Sequence, residues 1–455
     1  MSLKPSTLPQ KGARLGSAAE ASTILQSLFE SERNQVGRTY RVAFRDSDGS
    51  IGRRDFVTHW IHRYPAKMFH RIPEAILDAL PSNSQLTILD PFCGSGTVLL
   101  EGMLRGHSTI GIDINPIARL ISRVKTTVIA PSSLRRSSNA VVRRARRKNA
   151  GSNDDEALDF WFRPRIRTIL EALLASVGEI KNSTSREFYL VTLSSIIRRS
   201  SLADPTVSPP VKLRRTRVRR ANKKYRTHLY RALNLTTEDV YENFTTAVKR
   251  NTERMAELCR LNPTGKARIL SGIAEAATTG LKSGSVDLVI TSPPYCGAQK
   301  YARSLRLEML LMGYSEEEIA AVDRKTLGNE RVGQRQASSI TETRLPDVNR
   351  LIKRIRTRNP IRAYMLADYV NYLDRFAAEL CRVIKHEGNA FVTFGTNKLA
   401  GLTVNCADIF ISLARTHGLK HVATLVDTIP SRGLITVRHE TAGTISDERI
   451  VWLRR

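Results

Sequence analysis

Cysteine is scarce in this chain: five residues, Cys93, Cys259, Cys296, Cys381 and Cys406, are scattered through 455. So few, and odd in number, they exclude a disulfide framework and supply no CxxC pair for zinc; reduced, packed thiols and no metal are expected. Long apolar runs are missing too. No stretch approaches the ~18 residues of a membrane span, and the N-terminus lacks the apolar segment of a secretory leader, so a cytoplasmic protein is expected. Acidic residues form the third shortage. Against 72 Lys and Arg stand 43 Asp and Glu, which gives a net charge of +29 and a pI near 10.4. Such an imbalance favours a polyanionic partner, nucleic acid first. Hydrophobic residues, at 41%, are sufficient for a core, and the length suits one large domain with an insertion, or two domains.

The most informative stretch is Thr87-Ile-Leu-Asp-Pro-Phe-Cys-Gly-Ser-Gly-Thr97. Leu86, Ile88 and Leu89 suit a short buried strand, Gly94 and Gly96 allow a tight turn, and Thr97 to Leu104 continues as a helix. A helix start facing a sheet edge offers backbone N–H groups to an anion. Past Gly106, Ser108-Thr-Ile-Gly-Ile-Asp113 reads as a second strand closing on an acid, about 20 residues beyond the glycines, where a ribose partner sits in Rossmann-like sheets. Capping of a helix that begins near Asn115-Pro116 is the other role open to Asp113.

A second stretch, Asp287-Leu-Val-Ile-Thr-Ser-Pro-Pro-Tyr295, is a strand running into a proline turn. Together the two carry a resemblance. Asp90-Pro-Phe-Cys-Gly-Ser-Gly-Thr97 resembles the S-adenosylmethionine motif of the amino-group nucleic-acid methyltransferases, and Thr291-Ser-Pro-Pro-Tyr295 resembles their catalytic motif. The segment His59-Trp-Ile-His-Arg-Tyr-Pro-Ala-Lys-Met-Phe69 is similar to the family's motif that completes the cofactor pocket. The resemblance covers residues 57–125 and 267–455. It implies an α/β fold with a Rossmann-like methyltransferase sheet, mostly parallel with an antiparallel terminal strand pair, here His421–Asp427 and Arg449–Arg454.

On that resemblance the cofactor is S-adenosyl-L-methionine, with Lys67, Asp90, Pro91, Phe92, Gly94, Gly96, Thr97 and Asp113 around it. Asp90 would accept from its ammonium and Asp113 from its ribose hydroxyls, with the glycines allowing close approach. The catalytic residues would be Ser292, Pro293, Pro294 and Tyr295. An exocyclic amino nitrogen is a poor nucleophile because its lone pair is delocalised into the base ring. The Ser292 hydroxyl and Pro293 carbonyl would accept from the amino group, Pro293 and Pro294 would hold the turn extended, and Tyr295 would stack on a flipped base. Ring-carbon enzymes place a cysteine where Tyr295 stands; Cys296 falls one residue late. The strand before the catalytic one often ends in an acid that meets the adenine amino group, but here only a displaced Glu275 is offered, and that contact stays unassigned.

The chain divides into a flexible arm over 1–35 with one or two helical turns at its apolar patch Ile24, Leu25, Leu28 and Phe29, a cofactor half over 36–130, a basic, mainly helical insertion over 131–266 and a catalytic half over 267–455, in which 315–360 reads as a polar, partly mobile connection. Residues 131–270 hold 30 Lys and Arg against 13 Asp and Glu. Two runs concentrate the excess, and their Arg143, Arg144, Arg146, Arg147, Arg214, Arg215, Arg217, Arg219, Arg220, Lys223 and Lys224 are candidates for nucleic-acid contact, the alternative being a solvated face. Tyr225 and Tyr230 either stack on bases or pack. A Ser at the head of the Pro-Pro-Tyr turn is most typical, within the family, of cytosine-N4 enzymes. The expected activity is therefore modification of double-stranded DNA at cytosine N4, with adenine N6, RNA guanine N2 and a catalytically dead binding protein as the alternatives, and a cognate restriction endonuclease left open as a partner.

Overall fold

The computed structural model describes residues 18–30, 37–44, 57–65, 67–80, 84–148, 154–220, 222–274, 280–297, 301–327, 339–429 and 447–455. Ten strands are named: β1 (Arg38–Val42), β2 (Thr87–Asp90), β3 (Ser108–Asp113), β4 (Lys266–Ser271), β5 (Val286–Thr291), β6 (Ile384–Gly395), β7 (Asn397–Leu399), β8 (Leu402–Val404), β9 (Lys420–Thr428) and β10 (Asp447–Arg454). Eight form one sheet in the order β1-β9-β10-β6-β5-β2-β3-β4, while β7 and β8 make a small separate hairpin. All neighbours in the large sheet pair in parallel except β10, which is antiparallel to both β6 and β9. The expected terminal pair is thus present, but β9 shares the direction of the other strands and only β10 is reversed.

The central strands are apolar on both faces, and alternate residues enter different cores. Leu89, Val289, Ala390 and Val392 face a cluster with the helices Pro346–Arg356, Pro360–Val383 and Cys406–Thr416. Their neighbours Ile88, Leu288, Ile290 and Phe391 face another cluster that includes helices α1 (Ala18–Glu30) and α2 (Arg71–Asp78). A strand buried on both sides reads as a continuous hydrophobic run, which is why these strands were visible in sequence.

Two expectations are corrected here. Residues 18–30, assigned to a flexible arm, form a helix that buries Leu25 and Leu28, with Phe29 packed 4.5 Å from Trp452 between ring centroids. Within 315–360, read as a mobile connection, Glu316–Lys325 and Pro346–Arg356 are helices; the first opens with a Ser315–Glu318 capping box and the second buries Val348, Ile352 and Ile355. Their high charge masked a narrow apolar stripe. The helix expected to run through Glu275 lies outside the described residues beyond position 274.

The insertion is helical, as expected: α5 (Pro131–Arg147), α6 (Glu156–Trp161), α7 (Pro164–Gly178), α8 (Ser183–Ile197), α9 (Lys223–Asn234) and α10 (Thr237–Leu261). It does not stand apart. Its Leu170, Leu173, Phe188, Phe244 and Val248 share one apolar cluster with Leu100 and Met103 of α3 (Thr97–Leu104) and Ile117, Ile121 and Val124 of α4 (Pro116–Lys125). Polar contacts reinforce the junction. His62 Nε2 lies 2.9 Å from Ser194 Oγ, and Asn251 Nδ2 donates to the Ile61 carbonyl at 3.0 Å.

Candidate functional site

The chain leaves β2 towards β3 and β4 on one side, then crosses to β5 and β6 on the other. In open parallel sheets a ligand crevice lies outside the strand ends at such a switch point. The cavity found there holds about 870 Å³ of space, counting its open mouth. It is lined by the turn after β2, the end of β3, the turn after β5 and the aromatic-basic segment before α2, and so brings together Lys67, Asp90, Pro91, Phe92, Gly94, Thr97, Asp113, Ser292 and Pro294. These residues are drawn from both stretches singled out in sequence. Gly96, Pro293 and Tyr295 are not among the lining residues.

One hydrogen bond ties the two turns: Thr291 Oγ1 donates to Asp90 Oδ1 at 2.7 Å. The same carboxylate oxygen accepts from the Phe92 N–H at 3.2 Å. Asp90 is 4% exposed, and burial pushes its carboxyl up to about 7. Asp113 is half-buried; burial raises its carboxyl to about 6 although the Asn115 and Gly94 N–H groups donate to it at 2.7 and 2.9 Å. Two carboxylates that are costly to ionise face one cavity, so a cation or a set of donors arriving there is favoured. The cap of α4 is Asn115, whose Oδ1 accepts from Ile117 N and Ala118 N; Asp113 does not take that role.

The glycines have a different reason from the expected one. Gly96 has φ +73°, and a Cβ there would stand 2.9 Å from Ser122 Oγ and 3.2 Å from Ser122 Cα, so it serves the close packing of α3 on α4. Gly94 has φ +48°, and its added Cβ would meet the Tyr64 ring at 3.2 Å. Nor is the turn a bare anion cradle. The Gly94 N–H is taken by Asp113 and the Gly96 N–H by the Cys93 carbonyl at 2.7 Å.

The aromatic-basic segment closes the cavity from the other side. His59, fully buried, sits 2.6 Å from Glu101 Oε1 of α3, which fixes the segment against the glycine-turn helix. Lys67 Nζ donates to the His59 carbonyl at 3.3 Å and lies 3.7 Å above the half-exposed Trp60 ring.

At the catalytic turn the contacts are longer. Ser292 Oγ is 3.4 Å from Tyr295 Oη and 3.5 Å from the Thr393 carbonyl, while Tyr295 Oη donates to Glu448 Oε1 of β10 at 3.1 Å. Tyr295 was expected to stack on a base; its ring is only 9% exposed and its hydroxyl is turned to β10. Glu448 was missed in sequence, as were the lining residues Ser95, Asn115, Lys325 and Tyr372. The Asp-x-Asn-Pro spacing could have revealed Asn115. Lys325 and Tyr372 arrive from helices over 200 residues beyond the glycine turn and carry no local signal.

The two basic runs differ. In α5, Arg144 pairs with Glu179 at 3.2 Å, Lys148 with Glu179 at 2.6 Å, and Arg146 with Glu238 while lying over the Tyr241 ring, so these cations are engaged within the insertion; Arg143 and Arg147 are exposed. In the second run Arg214, Arg215, Arg217, Lys223 and Lys224 are exposed, whereas the side chains of Arg219 and Arg220 lie outside the described residues. Tyr225 packs, its hydroxyl bonded to the Arg214 backbone, and Tyr230 is 70% exposed.

Comparison with known proteins agrees with this geometry. Residues 60–158 match the family model described as an RMKL-like methyltransferase domain. The chain is 25% identical over 403 residues to Type II methyltransferase M.MvaI of Kocuria varians, spanning 83% of this chain and 85% of that protein. It is 22% identical over 286 residues to Type II methyltransferase M.BsoBI of Geobacillus stearothermophilus, spanning 58% of this chain and 54% of that one. Among solved structures, the rRNA methyltransferase aviRa from Streptomyces viridochromogenes covers 90% of this chain and 96% of its own at 12% identity and a TM-score of 0.29.

The cofactor that the methyltransferase family model and the Type II methyltransferase relatives imply is S-adenosylmethionine, and the cavity's donors suit it. Thr97 Oγ1 and Asn115 Nδ2 are buried, belong to residues that line the cavity and have no hydrogen-bond partner among the described residues. Buried donors left unsatisfied are costly, so their presence here marks places a ligand's acceptors fill.

Proposed function

We propose that the chain is an S-adenosylmethionine-dependent amino-group DNA methyltransferase, as its similarity to a methyltransferase domain model and to Type II methyltransferases supports, with the exocyclic amino group of a flipped base as acceptor, cytosine N4 first. One observation carries this reading. The Asp90 turn and the Ser292 turn leave adjacent parallel strands at the switch point, open into one cavity and are bonded to each other through Thr291.

When bound, the cofactor supplies an electrophilic sulfonium methyl group. The chain supplies position and polarity. Asp90 meets the ammonium, Asp113 the ribose hydroxyls, and Thr97 and Asn115 donate from the wall. At the far side of the cavity Ser292 Oγ and the Pro293 carbonyl accept from the amino group, drawing its nitrogen towards a pyramidal shape with the lone pair free. Tyr295, held by Glu448, fixes the turn's geometry and gives the Ser292 hydroxyl a hydrogen-bonded neighbour. Alignment of this kind is worth roughly 7–11 kcal/mol when it converts an encounter into a bound step. The exposed second basic run supplies the phosphate contacts, and Tyr230 an aromatic face beside them.

The test is to incubate the purified chain with methyl-labelled S-adenosylmethionine and either unmethylated bacterial DNA or total RNA, then identify the labelled nucleoside by mass spectrometry. N4-methylcytosine in DNA is the expected product. N6-methyladenine would overturn the base assignment while keeping the site, and label confined to RNA would overturn the DNA reading.

A further inference from the structure

Lys125 is the last residue of α4 and is 1% exposed, as few lysines are. Its ammonium has one polar partner among the described residues, Ser95 Oγ at 3.2 Å, and no carboxylate lies within ion-pairing distance. Ser95 is the middle residue of the Gly94-Ser95-Gly96 turn, is 3% exposed and lines the cavity. A serine oxygen that accepts from a lysine turns its own O–H elsewhere. No acceptor for that hydrogen is found among the described residues, and the cavity is what Ser95 faces.

The chemistry of the cofactor indicates what belongs there. S-adenosylmethionine has a single anionic group, the carboxylate of its amino acid end. The two acids of the cavity, Asp90 and Asp113, match its ammonium and ribose and would repel the carboxylate. The Gly94 and Gly96 N–H groups, which a glycine turn ordinarily offers to an anion, are consumed internally. Lys67 also lines the cavity, but its ammonium is turned to the His59 carbonyl and lies over the Trp60 ring. On the reading of this cavity as an S-adenosylmethionine site, we propose that Lys125 and Ser95 form the carboxylate grip, with the Ser95 hydroxyl donating to the carboxylate and the Lys125 ammonium polarising it from beneath. Lys125 is a positioning residue in this arrangement and Ser95 the contact.

Burial holds the Lys125 ammonium well below its usual pKa. A carboxylate entering above Ser95 supplies the missing countercharge, so the lysine's burial is a cost in the free chain that ligand binding offsets. The arrangement also distinguishes an α-amino acid end from the corresponding amine.

The experiment measures, by isothermal titration calorimetry on the full chain, the affinities of S-adenosylmethionine and of decarboxylated S-adenosylmethionine, which lacks only that carboxylate. The wild-type chain is expected to prefer the carboxylated compound roughly 10- to 100-fold, the range of one charge-assisted hydrogen bond. In Lys125→Met and Ser95→Ala the preference should shrink towards unity, with affinity for the decarboxylated compound little changed. Thermal melting of both variants checks folding, and Ser95→Ala decides alone if the lysine variant does not fold. A preference that persists in the folded variants, or no preference in the wild-type chain, overturns the grip. Failure of the wild-type chain to bind either compound would instead overturn the S-adenosylmethionine site itself.

Discussion

The turns after β2 and β5 sit side by side but are built differently. After β2, the polar groups are bound inside the protein at short distance: Asp90 by Thr291 and Phe92, Asp113 by Gly94 and Asn115, Gly96 by Cys93. After β5, the Ser292 hydroxyl has hydrogen-bond neighbours among the described residues only at 3.4 and 3.5 Å, the outer limit of a hydrogen bond. The cofactor turn is thus prebuilt, at the cost of two desolvated carboxylates. The catalytic turn keeps its hydroxyl loosely engaged, as catalytic hydrogen bonds often are until substrate is bound. The first site has its carboxylates positioned by folding, while its Thr97, Asn115 and Ser95 groups, like the Ser292 hydroxyl, are left for a ligand.

That contrast breaks most sharply at Ser292. Ser292→Ala should lower the methylation rate by about 10²–10³-fold, the usual loss for one polarising group, and leave S-adenosylmethionine affinity unchanged by calorimetry. A matching loss of cofactor affinity would show that the two turns are not separable.

At Asp90 the expected effect is smaller and runs in two directions. Its carboxyl is pushed up to about 7 by burial, above the unfolded value near 3.8. The folded chain therefore holds the proton through that window, and the stability associated with it is lost as pH rises from about 4 to about 7. Asn cannot ionise. Asp90→Asn should melt higher than the wild-type chain at pH 8, by at most about 4 kcal/mol of stability, and show no advantage at pH 4, while its cofactor affinity falls at least roughly tenfold. Equal melting curves at both pH values would remove the desolvation argument.

The two basic runs repeat the contrast between engaged and unengaged groups with the smallest effect. Replacing Arg214, Arg215 and Arg217 together by Ala should flatten the salt dependence of duplex binding by a log–log slope of about 0.9 per lost phosphate contact. Replacing Arg144 and Arg146, whose partners are Glu179 and Glu238, should leave the slope nearly unchanged and cost little stability, because water screens exposed ion pairs. Equal slopes for the two variants would return both runs to a solvated surface.

Much of the fold was legible because its signals are short-range. The apolar run before Asp90, the glycine turn, the strand ending at Asp113 and the strand before Ser292 each declare themselves within ten residues. Helix α1 was read only as one or two helical turns on the patch Ile24, Leu25, Leu28 and Phe29, and the helices within 315–360 were missed, because a polar or charged majority hid a narrow buried stripe. The tie of the Tyr295 hydroxyl to Glu448 was not legible because the two lie 153 residues apart. Asn115, not Asp113, caps α4, which the Asp-x-Asn-Pro spacing could have shown and which leaves Asp113 to the cavity.

By itself, then, the sequence determined the nature of the parts: a largely parallel α/β sheet, a glycine turn after one strand, a proline-rich turn after another and a basic helical insertion, since each follows from local periodicity and composition. Tertiary structure alone decided that the turns share a cavity, that the insertion joins the core of α3 and α4, that β10 alone runs backwards, and that Lys125 lies beneath Ser95. Those facts depend on which apolar faces bury against each other across tens to hundreds of residues, and no local pattern encodes that choice.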